Sequence, residues 1–80
     1  MMKSSFMNRI EALKIYIRKT LERSKRVIID YSDVMRMFNC GSSVAYAVLK
    51  QAVRDLENEF EVTVNRGFIV FERREDAHKV

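Results

Sequence analysis

The strongest constraint on this 80-residue chain is a change of hydrophobic period close to residue 60. Before it, apolar residues recur every three or four positions. After it they fall into two short segments, Glu61-Val62-Thr63-Val64 and Phe68-Ile69-Val70-Phe71, split by Asn65-Arg66-Gly67. A period of 3.6 belongs to a helix with one buried face, and a period of 2 to a strand. A chain this short buries only about 60% of its unfolded surface, so helices and strands must share one core. The expectation is a single α+β domain over residues 1–80, ordered across about 6–72, with a polar tail at 73–80.

The helical part divides into three. Phe6, Ile10, Leu13, Ile17 and Leu21 form the stripe of an amphipathic helix from about Ser5 to Ser24, with Ser4 or Ser5 available as its cap. Val27-Ile28-Ile29 is too brief for a helix, and its β-branched residues suit a strand. Asp30 then reads as an N-cap, with Asp33 in the position of the acid in a capping box. The short helix that follows is expected to bury Val34, Met37 and Phe38. Asn39-Cys40-Gly41 ends it with residues that tolerate the left-handed backbone. A third helix is expected from about Ser42 to Glu59, with Ala45, Val48, Leu49, Ala52, Val53 and Leu56 on its inner face and Phe60 just beyond. Asn65-Arg66-Gly67 reads as a three-residue hairpin turn. The strand after it is apolar on both faces, as a central strand would be.

Composition narrows the function. The single cysteine, Cys40, excludes an intramolecular disulfide and fits a reducing, cytoplasmic setting, where it serves as a small buried hydrophobe. The amino-terminal segment is interrupted by Arg9, Glu11, Lys14, Arg18 and Lys19, so neither a signal peptide nor a membrane span is expected. With Gly41 and Gly67 the only glycines, the chain has no phosphate-cradling loop. His78 stands in the polar tail without metal-binding neighbours, and no nucleophile is paired with a base. The expectation is a protein that is not an enzyme and uses no cofactor, metal or small-molecule ligand.

The net charge is +4, unevenly spread. Residues 1–26 carry Lys3, Arg9, Lys14, Arg18, Lys19, Arg23, Lys25 and Arg26 against Glu11 and Glu22. Residues 27–60 are net acidic, and the last twenty residues balance. Lys14, Arg18 and Lys25 therefore stand out as the electrostatic footprint for an anionic partner.

The order helix, short strand, helix, tight turn, helix, hairpin resembles the winged helix-turn-helix family of DNA-binding domains over roughly residues 6–72. Val34 and Phe38 match its first apolar positions, Asn39 its turn, Cys40 the buried residue after the turn, and Ala45 and Val48 the last two. Asn39 stands where Gly is usual, and Met35 where Ala is usual. In the absence of proline and the abundance of Ile, Arg and Lys, the chain is similar in style to small archaeal or archaeal-virus transcriptional regulators.

The resemblance implies double-stranded DNA as partner. The third helix would enter the major groove, with Ser43, Tyr46, Ala47, Lys50 and Arg54 toward the bases or phosphates. Ser42 could cap that helix or contact DNA. Arg66 at the hairpin tip would meet a phosphate or the minor groove, and Arg36 the flanking backbone. A second apolar surface on the first helix, Ala12, Ile15 and Tyr16, points to a homodimer, with the outward-facing strand residues Ile69 and Phe71 as the alternative interface. Two other uses of the fold stay open: a protein–protein interaction module, and a non-specific architectural nucleic-acid binder.

Overall fold

The computed structural model describes residues 5–74. In chain order the elements are α1 (Ser5–Arg23), β1 (Arg26–Asp30), α2 (Tyr31–Phe38), α3 (Ser42–Leu56), β2 (Phe60–Val64) and β3 (Phe68–Arg73). The fold is α+β: three helices and a three-stranded antiparallel sheet in the order β1-β3-β2, an arrangement compatible with a winged helix. The change of period at residue 60 marks the start of β2, and the strand apolar on both faces is the central one.

Pairing runs from Arg26 opposite Glu72 to Asp30 opposite Phe68, and from Phe60 opposite Arg73 to Val64 opposite Ile69. Side chains alternate across a pleated sheet, so Val27, Ile29, Ile69 and Phe71 fall on one face, toward the helices. They join Ile10, Leu13, Ile17 and Leu21 of α1, Val34 of α2, and Ala45, Val48, Leu49, Ala52 and Leu56 of α3 in one core. Truncating a fully buried residue there, such as Leu49, costs about 2–5 kcal/mol.

Local chemistry sets the joints. Asp30 caps α2 by accepting from the Asp33 amide at 2.9 Å, and Asp33 returns the contact by accepting from the Asp30 amide at 3.0 Å. That amide bond and the Ser32 hydroxyl hold the Asp30 carboxyl below the usual carboxylate range. Asn39 ends α2 in the left-handed region at φ 51°, ψ 56°, which a short amide side chain tolerates and a branched one does not. The Cys40 amide donates to the Met35 carbonyl at 3.1 Å, closing the turn before α3. Cys40 is half-buried against the core.

Several expectations need correction. Phe6 sits in the first turn of α1 and is 38% exposed instead of core-facing. On α2, Met37 is exposed and Met35 packs against the core in its place. The cap of α3 is Gly41 in extended conformation, with Ser42 already helical and no side-chain cap bond. The same helix stops at Leu56, three residues early, where the Glu59 amide bonds the Leu56 carbonyl at 2.9 Å in a tight turn. Nor are Ile69 and Phe71 outward residues open to a partner: β3 is central and its inner face is fully covered, leaving them 3% and 0% exposed.

At the hairpin the Asn65 amide donates to the Phe68 carbonyl at 2.9 Å, so the tip is Arg66-Gly67, one residue tighter than expected. Gly67 takes φ +86°, the conformation for which a turn favours glycine. β3 continues to Arg73, and Arg74 binds Glu61 at 3.1 Å and the Glu57 carbonyl at 3.0 Å. Ser4, the Ser5 side chain and His78 lie outside the described residues. Among those residues no helix is long and apolar enough to cross a membrane.

Candidate nucleic-acid interface

The two sides of α3 differ in chemistry. Ala45, Val48, Leu49, Ala52 and Leu56 are buried against α1 and α2, in the core they share with the sheet. On the other side Ser43, Tyr46, Lys50 and Arg54 are exposed, and Ala47 is half-buried between them. Helical spacing places Ser43, Tyr46, Lys50 and Arg54, at intervals of three, four and four, on one stripe. Ser42 is exposed beside its start. Neither Lys50 nor Arg54 has an ion pair among the described residues.

The cations of α1 are differently placed. Lys14 Nζ donates to Glu11 Oε2 at 2.9 Å and to Asp55 Oδ2 at 3.0 Å, with its side chain only 13% exposed. Arg18 grips Glu59 with two donors, Nε at 3.0 Å and Nη2 at 2.9 Å. These hydrogen bonds raise the proton affinity of Lys14 (through Glu11 first, then Asp55) and of Arg18. They also hold Asp55 and Glu59 below the usual carboxylate range, Asp55 with help from the Gln51 amide.

The arrangement has a local cause. Asp55 stands in the last turn of α3, with Glu57 and Glu59 just beyond, so three acids stand at the helix end where carbonyls already concentrate negative potential. Lys14 and Arg18, one turn apart on α1, supply the missing positive charge to acids spaced by the same four residues. The expected footprint of Lys14, Arg18 and Lys25 is therefore broken up: two of its members are bound internally. Lys25 stays exposed, as do Lys19 and Arg23.

The remaining predicted contacts are spread over the surface. Arg66 is exposed at the hairpin tip, without an ion pair among the described residues. Arg36 is exposed on the last turn of α2 and bonds Asp33 at 2.7 Å, so its charge is partly answered. Of the predicted dimer surface, Ala12, Ile15 and Tyr16 are all exposed. Tyr16 lines a groove with Ile28 of β1 and Met37 of α2, both exposed, and Ile28 is a neighbour the α1 pattern could not disclose.

Sequence reasoning also missed Tyr31. This first residue of α2 places its ring 5.5 Å from that of Tyr46, tilted by 47°. Lys50 Nζ lies 5.5 Å from the Tyr46 ring centre, within cation–π range. With Val53, Arg54, Val64 and Ile69, these residues line a mainly apolar recess of about 190 Å³ between α3 and the hairpin. An aromatic directly after a capping aspartate was the only trace of Tyr31 in the sequence.

Among the described residues no cluster of His, Cys, Asp and Glu is arranged to hold a metal ion. Comparison with known protein families, with curated proteins and with solved structures finds no match to this chain.

Proposed function

We propose that this protein is a sequence-specific binder of double-stranded DNA and a regulator of transcription. In this reading the outer stripe of α3 enters the major groove, and Arg66 of the β2–β3 hairpin meets the flanking phosphates or the minor groove. The observation that carries it is the division of charge on α3. At its acidic end α1 pairs with Asp55 and Glu59 but not Glu57, while Lys50 and Arg54 stand exposed beside two hydroxyl-bearing side chains, Ser43 and Tyr46, without carboxylate partners among the described residues. That spares approaching phosphates part of the repulsion that the net acidity of residues 27–60 would otherwise impose.

The roles divide by chemistry. Ser43 and Tyr46 can donate to or accept from base edges, and Ala47 allows close approach and can touch a thymine methyl group. Lys50 and Arg54 can bind guanine or phosphate, whereas Arg66 and Arg36 can contact the backbone. The protein acts as a homodimer through Ala12, Ile15 and Tyr16, so two copies of α3 reach half-sites about one helical turn, ~34 Å, apart.

A gel shift on duplex DNA tests the reading. Lys50→Ala and Arg54→Ala should each weaken binding, whereas Lys79→Ala, in the polar tail, should not. Absence of binding even at low salt would overturn it. Light scattering tests the dimer, which a single-chain mass at micromolar concentration would remove.

A further inference from the structure

We propose that Tyr31 is a positioning residue for Tyr46, and that Tyr46 so held presents its hydroxyl, not its ring face, to a base edge of duplex DNA. The inference rests on the DNA-binding reading above.

Tyr31 is fixed from two directions. Its backbone follows the reciprocal Asp30–Asp33 cap directly, and its half-buried ring packs against the core. The 5.5 Å separation and 47° tilt of the Tyr31 and Tyr46 rings lie within the range in which aromatic pairs attract. Lys50, one turn further along α3, adds a second contact by setting its ammonium 5.5 Å from the centre of the same ring. Tyr46 has two rotatable side-chain bonds, and a ring on one neighbour and an ammonium on another favour one setting of them. Its hydroxyl, by contrast, has no hydrogen-bond partner among the described residues, although the residue is 48% exposed.

A free hydroxyl on a braced ring suits the major groove. Duplex DNA offers base edges there, not base faces, and a hydroxyl can donate to N7, O6 or O4 or accept from an exocyclic amine. A ring already in contact with a tyrosine and an ammonium is poorly placed to stack on a base. Its loss of freedom is met during folding, so less is lost on binding.

The test needs four variants, Tyr46→Phe, Tyr46→Ala, Tyr31→Phe and Tyr31→Ala, and two measurements. In the first, a duplex selected from a random-sequence 25-base-pair pool by the wild-type protein is compared with its scrambled counterpart. One neutral hydrogen bond corresponds to about two- to tenfold in discrimination. Tyr46→Phe should lose that factor and match Tyr46→Ala. Tyr31→Ala should fall to the same level with its affinity for the scrambled duplex unchanged, and Tyr31→Phe should keep the wild-type ratio.

In the second, NMR of the free protein follows the Tyr46 ring signals and side-chain couplings. These should show one rotamer in the wild type and Tyr31→Phe, and averaging in Tyr31→Ala. A Tyr46→Phe protein with full discrimination would overturn the hydroxyl's role, and an unaveraged Tyr46 in Tyr31→Ala would overturn the brace. Parallel loss of affinity for both duplexes in Tyr31→Ala would reduce Tyr31 to a structural residue. A wild-type protein that binds no duplex overturns the DNA reading and the hydroxyl's task together, while the NMR result still decides whether Tyr31 holds Tyr46.

Discussion

Two sets of cations in this small protein have similar chemistry and opposite surroundings. Lys14 and Arg18 on α1 each meet a carboxylate near the end of α3. Lys50 and Arg54, on α3 itself, and Arg66 on the hairpin meet none among the described residues. The difference teaches that net charge along a sequence does not locate an electrostatic surface. The first 26 residues hold the basic excess, yet three of their cations, Lys14, Arg18 and Arg26, are committed within the fold. The net-acidic middle of the chain, for its part, displays the two exposed cations beside Ser43 and Tyr46.

The largest expected effect separates the two sets directly. Replacing Lys50 and Arg54 together with alanine should weaken duplex binding by about tenfold or more, since a good base or phosphate contact is worth roughly 1–3 kcal/mol. The melting temperature should fall at most slightly, through loss of the Lys50–Tyr46 contact, because neither side chain is in the core. Lys14→Ala should do the reverse. Its side chain is only 13% exposed but its carboxylate partners are open to solvent, so the loss is about 0.2–1 kcal/mol, or up to about 4–8 °C in Tm, and DNA affinity should fall by well under about tenfold, from the charge uncovered on Asp55. A double-mutant cycle of Lys14→Ala with Asp55→Ala isolates the coupling. A fall in affinity without a fall in Tm for Lys14→Ala would erase the distinction.

The fold was more legible in the sequence than the site, for physical reasons. Helix periods, the Asp30–Asp33 box, the left-handed Asn39 and the positive-φ Gly67 are local features, governed by residues within a turn of one another. The ion pairs Lys14–Asp55 and Arg18–Glu59 each span 41 positions. Their only trace was a pair of cations four apart on one helix and a pair of acids four apart near the end of another. Tyr31 meets Tyr46 only because the turn at Asn39 folds α3 back against α2. Likewise Ile69 and Phe71 could be placed on one face of a strand, but a strand apolar on both faces does not disclose which face the helices cover. Phe6 and Met37 followed the helical period and fell outside the core, because Phe6 stands at the first turn of its helix and Met37 at the edge of the stripe on its helix.

Smaller effects sharpen the comparison. Arg66→Ala should weaken binding to selected and scrambled duplexes alike and reduce the slope of log affinity against log salt by about one, as loss of a phosphate contact does. Acid should loosen the α1–α3 contact before it affects the outer stripe of α3. The folded-state pKa values of Asp55 and Glu59 are depressed, so their contribution to stability is complete above the ordinary carboxylate range. It is lost as pH falls through that range to the lower folded values. The raised pKa of Lys14 acts at the other end, its contribution holding below the ordinary ammonium range and fading as pH rises through the folded value. Thermal melts from neutral to acid pH should show the first trend, weakened in a Lys14→Ala/Arg18→Ala variant. An unchanged acid profile in that variant would mean that the pairs do not hold the helices together.

The salt dependence of wild-type binding to duplex DNA tests the central claim most directly, that the exposed cations of α3 and the hairpin face phosphate. With Lys50, Arg54 and Arg66 engaged, log affinity should fall against log salt with a slope of about −3 per protomer or steeper. A flat salt response, or no binding at the lowest salt, would contradict it.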